Sequence, residues 1–171
     1  MINFKKGPAL SLHQVNYVGK PAAAAAGEGI VAGMVVRYDN ATGTWKKGAA
    51  GAVAAIDAQY GFAINSQDAG DVIEAGAIGV YALDGMSVIE TDQFSGVISD
   101  YSIGSPVSVG TDGKIKPVDV TSNTPASSDK IIGYVEGTRS LPGRAASTTL
   151  NDGRTFTYPS NITVLGIKLA V

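Results

Sequence analysis

His13 is the only histidine in the chain, and no acid or nucleophile stands at a fixed spacing from it that could orient an imidazole for proton transfer. It reads as an ordinary polar residue. With one His and no Cys, disulfides and thiolate metal centres are excluded, and a transition-metal site is not expected. Asp39-Asn40-Ala41-Thr42-Gly43 starts like a calcium loop, but it lacks the spaced carboxylates and the closing glutamate, so it reads as a turn. Gly110-Thr111-Asp112-Gly113-Lys114 lacks the spacing and the Ser/Thr of a phosphate loop, which leaves Lys114 as strand surface. Neither Gly85-Met86-Ser87 nor Gly104-Ser105 has the flanks of a nucleophile elbow. Asp84 with Glu90, or Glu90 with Asp92, could be posed as the acid and base of glycoside hydrolysis. With few aromatics and no sugar platform, these read as solvated loop charges. Trp45-Lys46-Lys47 is the best local candidate for stacking on nucleic acid, but the basic residues are dispersed and form no aromatic-basic stripe. Trp45 reads as a core residue at a hairpin edge. The expectation is a protein without catalytic residues, cofactor, metal or nucleic-acid partner.

The elements that hold these residues are β-strands. Ile30, Val31, Met34, Val35 and Val36 form an apolar, largely β-branched run, Asp39 to Gly43 supplies turn chemistry, and Thr44-Trp45-Lys46-Lys47 returns. About seventy residues on, Ile103 to Val109, Gly110 to Gly113 and Lys114 to Pro117 repeat the pattern. Gly33 aligns with Gly104, Gly43 with Gly113, and Tyr60-Gly61-Phe62 with Ile132-Gly133-Tyr134, at offsets of 71, 70 and 72 residues. Two copies are too few for a solenoid. The fold class expected is therefore all-β: a small barrel or sandwich of short strands, built from pseudo-duplicated hairpin units.

Between the units, Tyr60 to Ile64 reads as a strand, Val53 to Ile56 as a short strand or a loop, and Asp71 to Glu74 and Ala77 to Leu83 as further strand candidates. Asp84-Gly85 is a turn from which Met86 to Thr91 returns, and 92–102 is irregular. Residues 1–29 are punctuated by Gly7-Pro8, Gly19-Lys20-Pro21 and a five-alanine run too short to hold a helix. They read as an extended N-terminal arm that gains order by lying on its own domain or on a neighbour. Residues 30–171 then make one β domain. Ser122 to Asp129 is a polar loop, and 138–160 is a protruding loop or hairpin holding three of the four arginines: Arg139, Arg144 and Arg154. Leu165, Ile167, Leu169 and Val171 alternate with smaller or polar residues as a half-buried strand that would close a sheet.

Composition agrees. The chain has 171 residues, enough for one domain with its own core, and 22 are glycine, which suits many tight turns. Charged residues make up 16%, a low share that suits a partly covered surface. Residues 1–47 carry a net +4, residues 48–112 carry −9 with no Lys or Arg, and residues 113–171 carry +3. An acidic middle with basic ends can present opposite faces to two neighbours. After Met1, Ile2-Asn3-Phe4-Lys5-Lys6 opens no sustained apolar run, so no secretory leader is expected, and no window is apolar for the length a bilayer requires.

The chain resembles phage capsid decoration, or cement, proteins. The likeness rests on Ala32-Gly33-Met34-Val35-Val36, Gly61-Phe62-Ala63, Gly76-Ala77-Ile78-Gly79-Val80, Gly104-Ser105-Pro106-Val107, Thr111-Asp112-Gly113-Lys114-Ile115 and Ile132-Gly133-Tyr134, roughly residues 28–137 plus the apolar end. The arm at 1–29 and the excursion at 138–160 depart from that compact pattern. The resemblance implies a non-enzymatic virion protein, made in a bacterial cytoplasm, that binds the outside of the head. Its partners would be the major capsid protein and neighbouring copies of itself. The contacts expected on this reading are Lys5, Lys6 and Lys20 of the arm and Arg139, Arg144 and Arg154 of the excursion. The alternatives are another virion part, such as a head fibre or a tail or baseplate accessory, and a carbohydrate-binding β-module using Trp45 or Tyr81.

Overall fold

A computed structural model describes residues 2–6, 28–48, 60–64, 78–110, 112–118, 130–142, 147–149, 155–157 and 161–170. The short β-branched runs become strands: β1 (Ile2–Lys6), β2 (Val35–Asp39), β3 (Thr44–Lys47), β4 (Tyr60–Ala63), β5 (Val80–Ala82) and β6 (Val88–Thr91). The second half adds β7 (Pro106–Val109), β8 (Ile115–Pro117), β9 (Ile131–Pro142), β10 (Ser147–Thr149), β11 (Thr155–Thr157) and β12 (Asn161–Leu169). A single turn of 3-10 helix at Ile98–Asp100 interrupts them. Six strands form one antiparallel sheet in the order β1-β6-β12-β9-β7-β8, four form a second in the order β3-β2-β4-β5, and β10 and β11 pair as a ribbon. Neither large sheet closes on itself, so of the two forms expected the sandwich is the one observed.

The duplication extends to individual hydrogen bonds. In the first unit β2 lies between β3 and β4, with β5 beyond; in the second β7 lies between β8 and β9, with β12 beyond. Val36 faces Lys47 on one side and Gly61 on the other, and Val107 faces Pro117 and Gly133 in the same way. Gly33 N–H donates to the Ala63 carbonyl at 2.7 Å, and Gly104 N–H donates to that of Val135 at 2.8 Å. Both glycines have positive φ, 93° and 84°, a left-handed conformation that a side chain would strain. Met34 N–H to Val31 and Ser105 N–H to Ser102 are a matched pair at 3.0 Å, and Ala63 N–H to Met34 and Val135 N–H to Ser105 are another at 2.9 Å.

Each unit buries one face in the same way. Ile30, Val36, Trp45, Ala63, Ile78 and Val80 form a small core in the first. Their counterparts by register, Tyr101, Val107, Ile115, Val135, Leu165 and Ile167, all lie in the main core. That main core is completed by the opposite face of the first unit, through Val35, Tyr60, Phe62 and Tyr81. Full burial of side chains of this size is worth about 1.5–3 kcal/mol each, and it is the dominant favourable term joining the two sheets.

Ile2–Lys6 is the edge strand beside β6, so the start of the arm lies on its own domain; residues 7–27 of it, including His13 and Lys20, fall outside the described residues. So do Val53 to Ile56, Asp71 to Glu74 and Ser122 to Asp129. The excursion read from Thr138 is strand as far as Pro142, paired through Asn161↔Pro142 and Leu165↔Thr138. β6 joins β12 only from Leu165 to Lys168, and β7 joins β9 only from Ile131 to Tyr134. Beyond those points the β9–β12 pair continues as a two-stranded extension.

Candidate interaction face

Alternation along β12 puts Leu165, Ile167 and Leu169 into the main core and sends Val164, Gly166 and Lys168 to the outer face of the six-stranded sheet. Register carries that face across the neighbouring strands. Glu90 on β6, Gly166 on β12 and Gly137 on β9 lie in one row, and Lys168 stands between Val88 and Tyr134. Arg139 lies two residues beyond Gly137 on the same side.

Glu90 is 2% exposed. A carboxylate so far from water needs a partner, and Arg139 supplies one: its Nη2 forms a hydrogen-bonded ion pair with Glu90 Oε2. The two groups start on strands separated by β12, roughly 10 Å at ordinary strand spacing. Gly166 puts no side chain between them, so the guanidinium reaches across. The carboxylate at 90 is therefore a buried strand charge rather than the solvated loop charge its sequence context suggests. Asp84, at the turn between β5 and β6, also differs from that expectation. It accepts hydrogen bonds from the Met86 and Ser87 amides at 3.0 and 2.8 Å, from the Ser87 hydroxyl, and from the Tyr81 hydroxyl at 2.9 Å. Burial opposes its charge, but these four donors outweigh it and hold its carboxyl below the usual value of 3.8. Burial pushes the Tyr81 phenol up from 10.0. The Asp84-Ser87-Tyr81 cluster ties down the turn that carries the chain from one sheet to the other.

Toward its other end the outer face is open. Gly85, Gly104, Ile131, Tyr134, Lys168, Leu169 and Ala170 line a groove of about 630 Å³. Adjoining it, Met86 is 64% exposed, Ile103 78% and Tyr134 44%. In the first unit the register equivalents of Pro106, Tyr134 and Lys168 are Val35, Phe62 and Tyr81, and all three are buried in the main core.

Of the basic residues expected to make contacts, Arg139 is on this face, with its side chain half exposed despite the ion pair. Lys5 and Lys6 lie on β1, at the sheet's edge. Lys20, Arg144 and Arg154 fall outside the described residues. Sequence reading took Glu90 for a solvated loop charge and gave Met86, Ile103, Tyr134 and Lys168 no part in a site. Aligning the units position by position would have found part of this face, because the second unit is more polar where the first is apolar. Among the described residues, no group of His, Asp or Glu is arranged to hold a metal, and no helix is long and apolar enough to cross a membrane. Trp45 and Tyr81, the aromatics a saccharide-binding module would use, are 1% and 7% exposed. No family model, no curated protein and no solved structure matches the chain.

Proposed function

We propose that this chain is a structural protein of a phage particle that sits on the outside of the head and reinforces the shell, contacting the major capsid protein and neighbouring copies of itself. The observation that supports this reading most is the outer face of the six-stranded sheet. One end of that face is closed by Arg139 on Glu90, the other is left open and apolar, and the β9–β12 extension runs on past both neighbouring strands. A shell offers the same docking surface many times over. Contacts that are weak singly hold firmly when they are repeated around a lattice.

The sequence supports the reading through its low share of charged residues and through its likeness to decoration proteins. A head fibre or tail accessory would use a similar scaffold at a different place on the particle. The experiment is sedimentation of the purified chain with expanded heads of its source phage. Saturable co-sedimentation is expected, together with better survival of the heads on heating, and Arg139→Ala is expected to weaken binding at low salt more than at high salt. Absence of binding to heads overturns the reading. Label found on tails in negative-stain images moves the protein to the alternative position.

A further inference from the structure

The duplication shows what the open groove lacks. In the first unit the face made by Val35, Phe62 and Tyr81 is covered by the apolar layer of the other sheet. In the second unit the same face carries Pro106, Tyr134 and Lys168 and is covered by nothing among the described residues. It carries a lysine as well as apolar side chains. Lys168 lines the groove and is exposed, while Asp84, at the adjoining turn, spends its carboxylate on the Met86 and Ser87 amides.

The opposite surface type occurs at the far edge of the same sheet. Residues 93–95 run beside β8, where Phe94 bridges Ile115 and Ser95 N–H donates to the Ile115 carbonyl at 2.8 Å. The turn that follows exposes Val97 at 62% beside Asp100, an exposed residue whose Oδ2 accepts the Val97 N–H at 3.1 Å. This turn lies within the stretch 48–112, which contains no Lys or Arg. Two grooves brought face to face would oppose lysine to lysine, so a two-fold symmetric contact is disfavoured. A groove receiving the Val97 turn pairs apolar with apolar and basic with acidic.

We propose that copies of this chain associate head to tail, the Val97 turn of one seated in the Tyr134–Ile103 groove of the next. Such a heterologous contact leaves a free turn at one end and a free groove at the other. It therefore grows until it closes into a ring or extends as a filament.

The test needs no phage heads, so its outcome is separate from that of the capsid reading. Sedimentation equilibrium of the full chain at low salt is expected to show a mass that rises past the dimer with concentration and falls as salt is added. Ile103→Asp disables the groove and Val97→Arg disables the turn, and both positions are exposed enough to leave the near-ultraviolet circular dichroism and melting temperature unchanged. Each variant alone is expected to be monomeric. Mixed in equal amounts, they retain one good groove and one good turn between them, and the mass should stop at a dimer. A wild-type chain that stays monomeric at low salt overturns the proposal, as do variants that still associate or a mixture that stays monomeric.

Discussion

The two halves of the molecule share a backbone but not an exposure. The first unit buries both faces, one in its own small core around Trp45 and one against the second sheet; the second unit buries one face in the main core and leaves Tyr134 and Lys168 exposed on the other. Three side-chain differences carry the contrast: Val35 against Pro106, Phe62 against Tyr134, and Tyr81 against Lys168. The hairpin tips differ as well. The tip at Gly113 docks on the first unit, where Val35 N–H donates to the Gly113 carbonyl at 2.7 Å and Gly113 N–H to that of Gly48 at 3.0 Å. A tip docking in the same way on the second unit would meet Pro106, which has no N–H to give. Duplication thus fixes strand order and bond pattern, while a few substitutions decide which face is core and which is surface.

The largest effect expected tests whether the halves are equivalent. A Cβ at Gly61 would lie 2.5 Å from the Tyr81 carbonyl oxygen and 2.4 Å from Val80 Cγ1. At Gly133 it would lie 2.5 Å from the Lys168 carbonyl oxygen and 2.5 Å from Ile167 Cγ2. Backbone cannot yield as a flexible side chain can. Gly61→Val and Gly133→Val should each cost about 3 kcal/mol or more in urea unfolding, at the upper end for overpacking. Gly137→Ala, where a Cβ would meet nothing within 4 Å, is the control and should change stability little. If one of the two valines is tolerated and the other is not, the close approach of strands is not a shared property of the units.

Much of this framework was legible in the sequence because turns and β-branched runs act locally. Gly33 and Gly104, Gly43 and Gly113, and Gly61 and Gly133 mark equivalent backbone positions, and a constant spacing reveals them without any knowledge of packing. The candidate face was not legible in that way. Glu90 gains its meaning from Arg139, 49 positions away, and from the glycine that leaves room between them. Lys168 and Tyr134 meet only because β12 returns beside β9. Register is a long-range outcome of sheet pairing, and reading residues in order does not disclose it.

A smaller effect separates the cores of the two units. Ile30 and Tyr101 are equivalent, but the tyrosine hydroxyl also lies 2.6 Å from the Ser95 carbonyl and 2.9 Å from that of Ile115, tying the acidic turn to β8. Tyr101→Phe should cost about 1–2 kcal/mol, the range for losing a buried hydrogen bond and leaving its partner short. Burial pushes the phenol from 10.0 up to about 12, ahead of any other influence. The folded state therefore holds this proton more tightly than the unfolded chain does. Its contribution is fully present below pH 10 and is lost as pH rises through about 12. Unfolding midpoints measured across that range should fall for the wild type, and part of the fall should be missing in Tyr101→Phe. If both curves fall together, the ionisation responsible lies elsewhere.

The smallest effect concerns the tips. Asp39 is paired with Lys46 Nζ at 2.6 Å, and its carboxylate also accepts hydrogen bonds from the Thr42 hydroxyl at 2.9 Å and the Ala41 amide at 3.0 Å. The bond to Lys46, followed by those to Thr42 and Ala41, lowers its carboxyl from 3.8 to about 2. The stabilisation is present above 3.8 and lost as pH falls toward about 2. The equivalent residue in the second unit is Gly110, whose hairpin is held by the first unit instead. Asp39→Asn should therefore weaken the fold slightly at neutral pH and not at all near pH 2, and the difference should shrink in about 1 M salt, as for any exposed pair. Asn keeps an oxygen for the Ala41 amide, removes the charge, and puts an NH2 donor in place of the Oδ2 that accepts from Thr42, so that this bond must run from the amide to the hydroxyl. A deficit that persists unchanged at pH 2 would place the role of Asp39 in turn geometry, leaving the ion pair without part in holding this tip.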